Sequence, residues 1–366
     1  MTKEIPVPRW ISGIEPPKEL LNANGTQILE LECRQQPERL RELIHVYRTD
    51  STVRGELNMF RKLAASKGPV LFTGMGGSLC SAISGTIMLQ MHGRPSFSVD
   101  AGEWLHYGLP VWRDAALSIL LTTSGESAEL VELFKRGKGD RLGLLCNNSA
   151  STCWKLARHK LPILAGPEYG NATKTYTNAT AATIILAAEM LSLPWENDAM
   201  RALDVFSGSL DGIFAQRVRM EEFWHGAVNT EVIGRGAAYG SAIMGALTIR
   251  EMSGHRAAPH TSAGFKHGPN LDVDSSHLAL IFALGHAAEL SVKLAQECNR
   301  KGGKVILVSS DDHETTDKLL PVKIDAVPEP WESITSILVA QALTLGIIEK
   351  IGCRLPPRFQ YGVMEQ

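Results

Sequence analysis

The pattern of apolar and polar positions changes character along the chain. Residues 1–30 hold prolines, Trp10 and few periodic apolar positions, and read as an irregular arm. Residues 31–66 carry Leu40, Leu43 and Ile44 at helical spacing and predict helix. From "GPVLFTGMGG" onward, apolar runs of strand length, glycine turns and longer helical stretches alternate. That alternation predicts an α/β protein built on parallel sheet. The apolar run "DAALSILL" leads into "TTSGESAEL" (122–130), a strand-to-helix turn crowded with hydroxyls.

An internal repeat organises the prediction. "FTGMGGSLCSAISG" (72–85) lies over "VIGRGAAYGSAIMG" (232–245) at an offset of 160 residues. The same offset sets "SGESAEL" (124–130) over "LGHAAEL" (284–290). Two matching blocks at one offset predict two similar α/β domains. The divisions expected are an N-terminal arm and helix over 1–60, a first domain over 61–205, a second over 206–350, and a tail over 351–366. The copies differ in chemistry: Ser78, Thr122, Thr123, Ser124 and Ser127 face Ala238, Phe282, Ala283, Leu284 and Ala287. A purely architectural turn would keep its chemistry in both copies, so the first copy is expected to bind a polar ligand.

A helix N-terminus offers unpaired N–H groups and partial positive charge, so a phosphate fits there without a lysine. In "SGES", Ser124 can cap the helix, Gly125 lets the backbone approach closely, and Ser127 sits in the first turn. Ordinary N-capping accounts for a single serine; it does not account for a cluster absent from the twin. "GMGGSL" and "GRGAAYG" each miss the dinucleotide pattern GxGxxG by one place, and no GK[ST] follows either glycine turn. Asp100 ends a later strand and could bind a ribose, though a strand-end Asp is more often turn chemistry.

Composition narrows the classes. The chain has 366 residues, a hydrophobic content of 44% and a net charge of −2, so it can bury a real core, and nothing in its charge favours nucleic acid or an anionic membrane. The six cysteines are scattered without a CxxC pair and read as reduced core thiols in a cytoplasmic protein. The start "MTKEIPVPRW" has no apolar signal region, and "AATIILAAEMLSL" is too short to span a bilayer.

A second dense stretch is "TIREMSGHRAAPHTSAGFKHGPN" (248–270), with Glu251 expected to end a helix and His255, His260 and His267 in a following loop. Glutamate and histidine are the natural pair for moving protons near neutral pH. The histidine spacing fits no compact metal set, and no metal or cofactor is expected.

Together "GMGGS", "TTSGESAE", "GPEYGNATKTYT", "IGRG…GALTIRE" and "FKHGP" resemble, in order, the SIS (sugar isomerase) proteins, in particular the isomerase half of glucosamine-6-phosphate synthase and its relatives. The likeness runs from "RQQPERL" to "LPPRFQYGVMEQ". It implies two tandem SIS domains of α/β class, each a parallel sheet flanked by helices in a flavodoxin-like three-layer sandwich, assembled as a homodimer. It implies a substrate phosphate held by Ser78, Thr122, Thr123, Ser124 and Ser127. Glu251 falls on the family's proton-shuttle glutamate. His267 falls on its ring-opening histidine, which enters the partner subunit's site. Gly77, Glu103, Glu168 and Lys174 match family positions near the substrate.

Departures from the pattern shape the expected activity. There is no glutaminase domain or N-terminal nucleophilic cysteine, so glutamine-dependent amidotransfer is not expected. Met244 and Thr248 stand where the synthase has a second acid and a lysine, and "RFQYGV" lacks its tail lysine. The resemblance then implies a deglycase or a deaminase/isomerase acting on an amine-bearing sugar 6-phosphate. A simple aldose-ketose phosphosugar isomerase and a non-catalytic phosphosugar sensor are the alternatives.

Overall fold

The computed structural model describes Leu20, residues 22–137 and residues 141–355. Most of the expected arm and the tail beyond 355 lie outside them. The chain forms two compact units, one built on residues 35–199, the other on residues 24–34 and 200–355.

Helix α1 (Gly25–Thr49), whose residues 25–34 are assigned to the second unit and the rest to the first, and α2 (Ser51–Ala64) precede the first sheet. Helix therefore begins at Gly25, inside the segment read as irregular, and the predicted helix of 31–66 is two helices. The break is at Asp50, whose Oδ1 accepts the N–H groups of Thr52 and Val53, each at 2.9 Å, and restarts the helix. The strands are β1 (Val70–Gly74), β2 (Ser96–Asp100), β3 (Leu117–Thr122), β4 (Leu142–Cys146) and β5 (His159–Pro162). Between them run α3 (Gly77–Met91), the short α4 (Ala101–Glu103) and α5 (Leu109–Asp114) on either side of a π-helical turn, α6 (Ala128–Arg136) and α7 (Thr152–Leu156). Helix α8 (Lys174–Leu191) follows β5. All pairings are parallel, in the order β2-β1-β3-β4-β5. The inner strands β1, β3 and β4 are buried at every position, as an apolar run covered on both faces requires.

The second unit repeats the plan. After α9 (Glu196–Ala215) and α10 (Arg217–Trp224) come β6 (Asn229–Gly234), α11 (Ala238–Ser253), β7 (Ala257–Thr261), α12 (Ser262–Lys266), β8 (His277–Ala283), α13 (Ala288–Arg300), β9 (Lys304–Ser309), β10 (Leu319–Lys323) and α14 (Glu332–Ile351). Its sheet order, β10-β9-β8-β6-β7, is the first order element for element. Gly76 and Gly236 share a φ of 52°, and Gly125 and Gly285 have φ of 68° and 74°, so the repeat extends to backbone dihedrals. The main division between the two compact units falls at 199/200, inside α9.

One expectation fails here for a physical reason. Residues 257–266, read as loop, form β7 and α12. β7 is an edge strand, so it tolerates Pro259 and polar His260, which hide its period. The strand prolines Pro162 and Pro321 likewise sit in edge strands β5 and β10. Among the described residues, helix α14 is long and apolar enough to cross a membrane, but 83% of its apolar window is buried inside the protein. Every residue from Glu332 to Ile348 is buried, so it is the core helix of its unit, mostly apolar because it is enclosed.

Candidate functional site

In a doubly wound sheet of this order, ligands bind beyond the carboxyl ends of the strands where the strand order reverses. In the first unit that point lies between β1 and β3, which pair directly. The turn after β1 carries Gly77 and Ser78; the turn after β3 carries Thr122, Thr123, Ser124 and Ser127. Five hydroxyls predicted from sequence are thus brought to one edge of one sheet by the two adjacent strands.

Local chemistry shapes the second turn. The Thr122 hydroxyl is buried and accepts the Gly125 N–H at 3.0 Å, while Ser124 Oγ accepts the Glu126 N–H at 3.2 Å. The helix begins one turn later than the sequence suggests: Ser127, not Ser124, occupies the cap position of α6, and its hydroxyl makes no capping hydrogen bond. Ordinary capping therefore does not explain Ser127. Leu130, Leu133 and Phe134, on one face of α6, are buried and anchor the helix behind the turn. Each such side chain contributes roughly 1.5–3 kcal/mol, enough together to keep the helix N-terminus fixed.

Gly125 is where the turn is most exacting. Its φ is 68°, and a Cβ there would stand 2.1 Å from Ser151 Oγ and 3.0 Å from Cys146 Sγ. Gly125→Ala is expected to cost about 1–3 kcal/mol from backbone strain alone, with further loss from displacing Ser151. Thermal denaturation should show the fall in midpoint, and phosphate binding should weaken with it.

The remaining first-unit candidates separate. Glu103 is exposed in α4, which Asp100 caps by accepting the N–H groups of Gly102 and Glu103 at 2.8 and 3.4 Å. Glu168 is buried and accepts from the backbone N–H and hydroxyl of both Thr173 and Thr175. The Lys174 ammonium, also buried, donates to Gln35 Oε1 at 2.7 Å and to the Pro167 carbonyl at 2.6 Å. Both charges hold the chain entering α8. Burial of this kind depends on tertiary partners and leaves no trace in local sequence. The neighbouring cysteines are free, and burial pushes the Cys146 thiol up and Cys153 up to about 12, so neither is a ready nucleophile.

In the second unit the three histidines of 248–270 have different settings. His255 is packed edge-on to Trp224 and bonded to Thr230 Oγ1 at 3.1 Å, and desolvation lowers its pKa. His260 Nε2 pairs with Glu231 at 2.8 Å across β6 and β7. His267 is exposed at the end of α12. Glu251 is exposed in the last turn of α11. Among the described residues no cluster of three or more His, Cys, Asp or Glu is placed to hold a metal ion.

Two doubly wound units, one with a hydroxyl-lined turn at its strand-order reversal, define a duplicated α/β ligand-binding protein. The family model for the SIS domain matches residues 62–189 and 229–347, one segment in each unit, and the chain belongs to that family. It is 29% identical over 293 residues to glutamine-fructose-6-phosphate aminotransferase (isomerizing) of Pyrococcus horikoshii, a match covering 75% of this chain and 48% of the relative. The chain thus spans about half the length of that relative. Its fold is similar to the C-terminal domain of glucosamine-fructose-6-phosphate aminotransferase from Francisella tularensis, with a TM-score of 0.77 at 20% identity, covering 93% of this chain and 99% of that one. It is also similar to tagatose-6-phosphate ketose/aldose isomerase from Escherichia coli, with a TM-score of 0.72 at 18% identity, covering 96% and 99%.

Proposed function

We propose that the chain is an enzyme acting on an amine-bearing hexose 6-phosphate, either removing the amine from a fructosamine 6-phosphate or deaminating an amino-hexose 6-phosphate with isomerisation. The observation that carries this reading is the hydroxyl turn at the reversal point of the first sheet, with Ser127 at a helix N-terminus and uncommitted to capping. The second unit has no hydroxyl at any of the corresponding positions. Family membership supports a sugar phosphate as the anion, and the named relatives act on such compounds.

Holding a substrate by a phosphate remote from the reacting carbons leaves binding energy free to orient C1 and C2. Glu251 is assigned the proton transfer: a carboxylate takes a proton from one carbon and returns it to the neighbour, since an enediol or enolamine asks the same of the base at both ends. His267 is assigned proton transfer in ring opening, supplied by a second copy of the chain in a homodimer. Gly77 backs the phosphate turn, and Glu168 and Lys174 act as positioning residues. The free, mostly buried cysteines support a reducing, cytoplasmic setting.

The test is a panel of hexose 6-phosphates, amino-hexose 6-phosphates and fructosyl-amino acid 6-phosphates followed by mass spectrometry. Turnover is expected for an amine-bearing member, with amine release. Interconversion of plain hexose 6-phosphates alone would instead establish the simple isomerase, and tight binding without any turnover would establish a sensor.

A further inference from the structure

The second unit's copy of the β3–α6 turn has been rebuilt. Here the carboxylate of Glu329 lies over the turn: Oε1 accepts the His286 backbone N–H at 2.6 Å, and His286 Nδ1 stands 3.0 and 2.7 Å from the two carboxylate oxygens. A Cβ at Gly285 would meet Glu329 Oε1 at 1.9 Å, so glycine is needed for this approach. The protein's own carboxylate takes the place an external anion would take at such a turn.

Beside it lies a cavity of about 350 Å³, bounded by Gly285, His286, Asp325, Glu329, Glu332 and Thr335 among others. Three of its walls are acidic side chains. Glu332 opens α14, is only 4% exposed, and its Oε2 has no hydrogen-bond partner among the described residues. A buried carboxyl oxygen lining a cavity and left unused calls for a hydrogen-bond partner, and a cation would supply one by drawing the carboxyl into its charged form. An anion is the wrong occupant, because the turn's N–H is already satisfied and the walls are acidic.

We propose that this cavity binds a small organic ammonium ion, a primary amine bearing a hydroxyl, with the nitrogen donating to Glu332 and the hydroxyl meeting Thr335. The site is independent of the phosphosugar reading. It lies at the carboxyl edge of β8, β9 and β10 and uses none of the residues assigned to substrate above.

Proton balance gives the site a signature. Burial, reinforced by the Glu329 charge, pushes the Glu332 carboxyl up to about 8. Near neutral pH the carboxyl is therefore protonated, with His286, Asp325 and Glu329 the other titratable groups on the cavity. An entering ammonium favours the carboxylate, so Glu332 passes its proton to the buffer as the ion pair forms. The sign for the free protein follows: a raised carboxyl contributes stability fully below its ordinary pKa, and loses it as pH rises through about 8.

The test is calorimetric titration of the full chain near neutral pH with ethanolamine and with 2-amino-1,3-propanediol, in buffers of different ionisation heat. Ethylene glycol and acetate serve as neutral and anionic counterparts. Both amines are expected to bind with a buffer-dependent heat that reports proton release, and the counterparts are not. Glu332→Gln should weaken amine binding roughly tenfold or more and abolish the buffer dependence. Should that variant fold poorly, Thr335→Val must weaken the hydroxyl-bearing amines while sparing propylamine. Amine binding should survive Ser124→Ala with Ser127→Ala, which separates this site from the phosphate turn. No binding of either amine, equal binding of ethylene glycol, or undiminished binding by folded Glu332→Gln would overturn the proposal.

Discussion

Changing Ser124 and Ser127 together to alanine is expected to weaken binding of a hexose 6-phosphate between about tenfold and a thousandfold. Each hydroxyl would give the phosphate a charge-assisted hydrogen bond worth roughly 1.5–3 kcal/mol, part of which returning water recovers. The change should cost the fold little. Ser127 makes no capping bond, so its loss does not uncap α6, and Ser124 Oγ only accepts one N–H, from Glu126. The two readouts therefore separate: calorimetry with glucose 6-phosphate and with inorganic phosphate should show the loss, while the thermal midpoint stays close to that of the unaltered chain. Unchanged affinity for both anions would remove the turn from the site, and with it the support for a phosphosugar.

That prediction rests on a contrast legible without a structure. The offset of 160 aligns not only the two glycine turns but also β5 with β10, since His159 falls on Leu319 at their starts. Strong alternation of buried strands and glycine turns is a local signal, so two parallel sheets could be read from the chain. The hydroxyl cluster was readable for the same reason: Thr122 to Ser127 are neighbours in sequence, and Ser78 lies on the adjacent strand's turn.

What was not readable depends on partners far away in sequence. Glu168 and Lys174 look like solvated loop charges, yet Gln35, more than a hundred residues earlier, receives the Lys174 ammonium. Asp50 reads as one polar residue in a helical stretch, and only its bonds to the next turn show that it ends one helix and starts another. The acidic cavity of the second unit was invisible for the same reason. Nothing local in the sequence singles out Asp325, Glu329 or Glu332, whereas folding brings them to the Gly285 turn, which precedes them by some forty residues. The repeat nonetheless located that turn. A twin that has lost its hydroxyls and gained a covering carboxylate has changed the sign of the ligand it can accept, not merely lost a site.

Glu251→Gln is expected to lower turnover of the amine-bearing substrate by roughly a hundredfold to ten-thousandfold while leaving substrate affinity nearly unchanged. Glutamine keeps the size and hydrogen-bonding reach of glutamate, so α11 should hold its place, but an amide has no basic oxygen able to accept a proton from carbon. Affinity should persist because the phosphate turn, not Glu251, is assigned the grip on the substrate. A kcat fall with an unchanged KM, and loss of solvent deuterium incorporation at C1 or C2, would be the joint signature. Turnover that survives the change would refute the shuttle role. His267→Gln offers the complementary measurement. If His267 acts in the site of a partner copy, mixing and re-equilibrating the Glu251→Gln and His267→Gln proteins restores one intact pair per mixed dimer, or roughly a quarter of wild-type sites. If both groups act within one chain, the mixture stays as inactive as its components. The outcome decides the assembly and the chemistry in one experiment, because only a homodimer that exchanges His267 can recover activity from two dead parents.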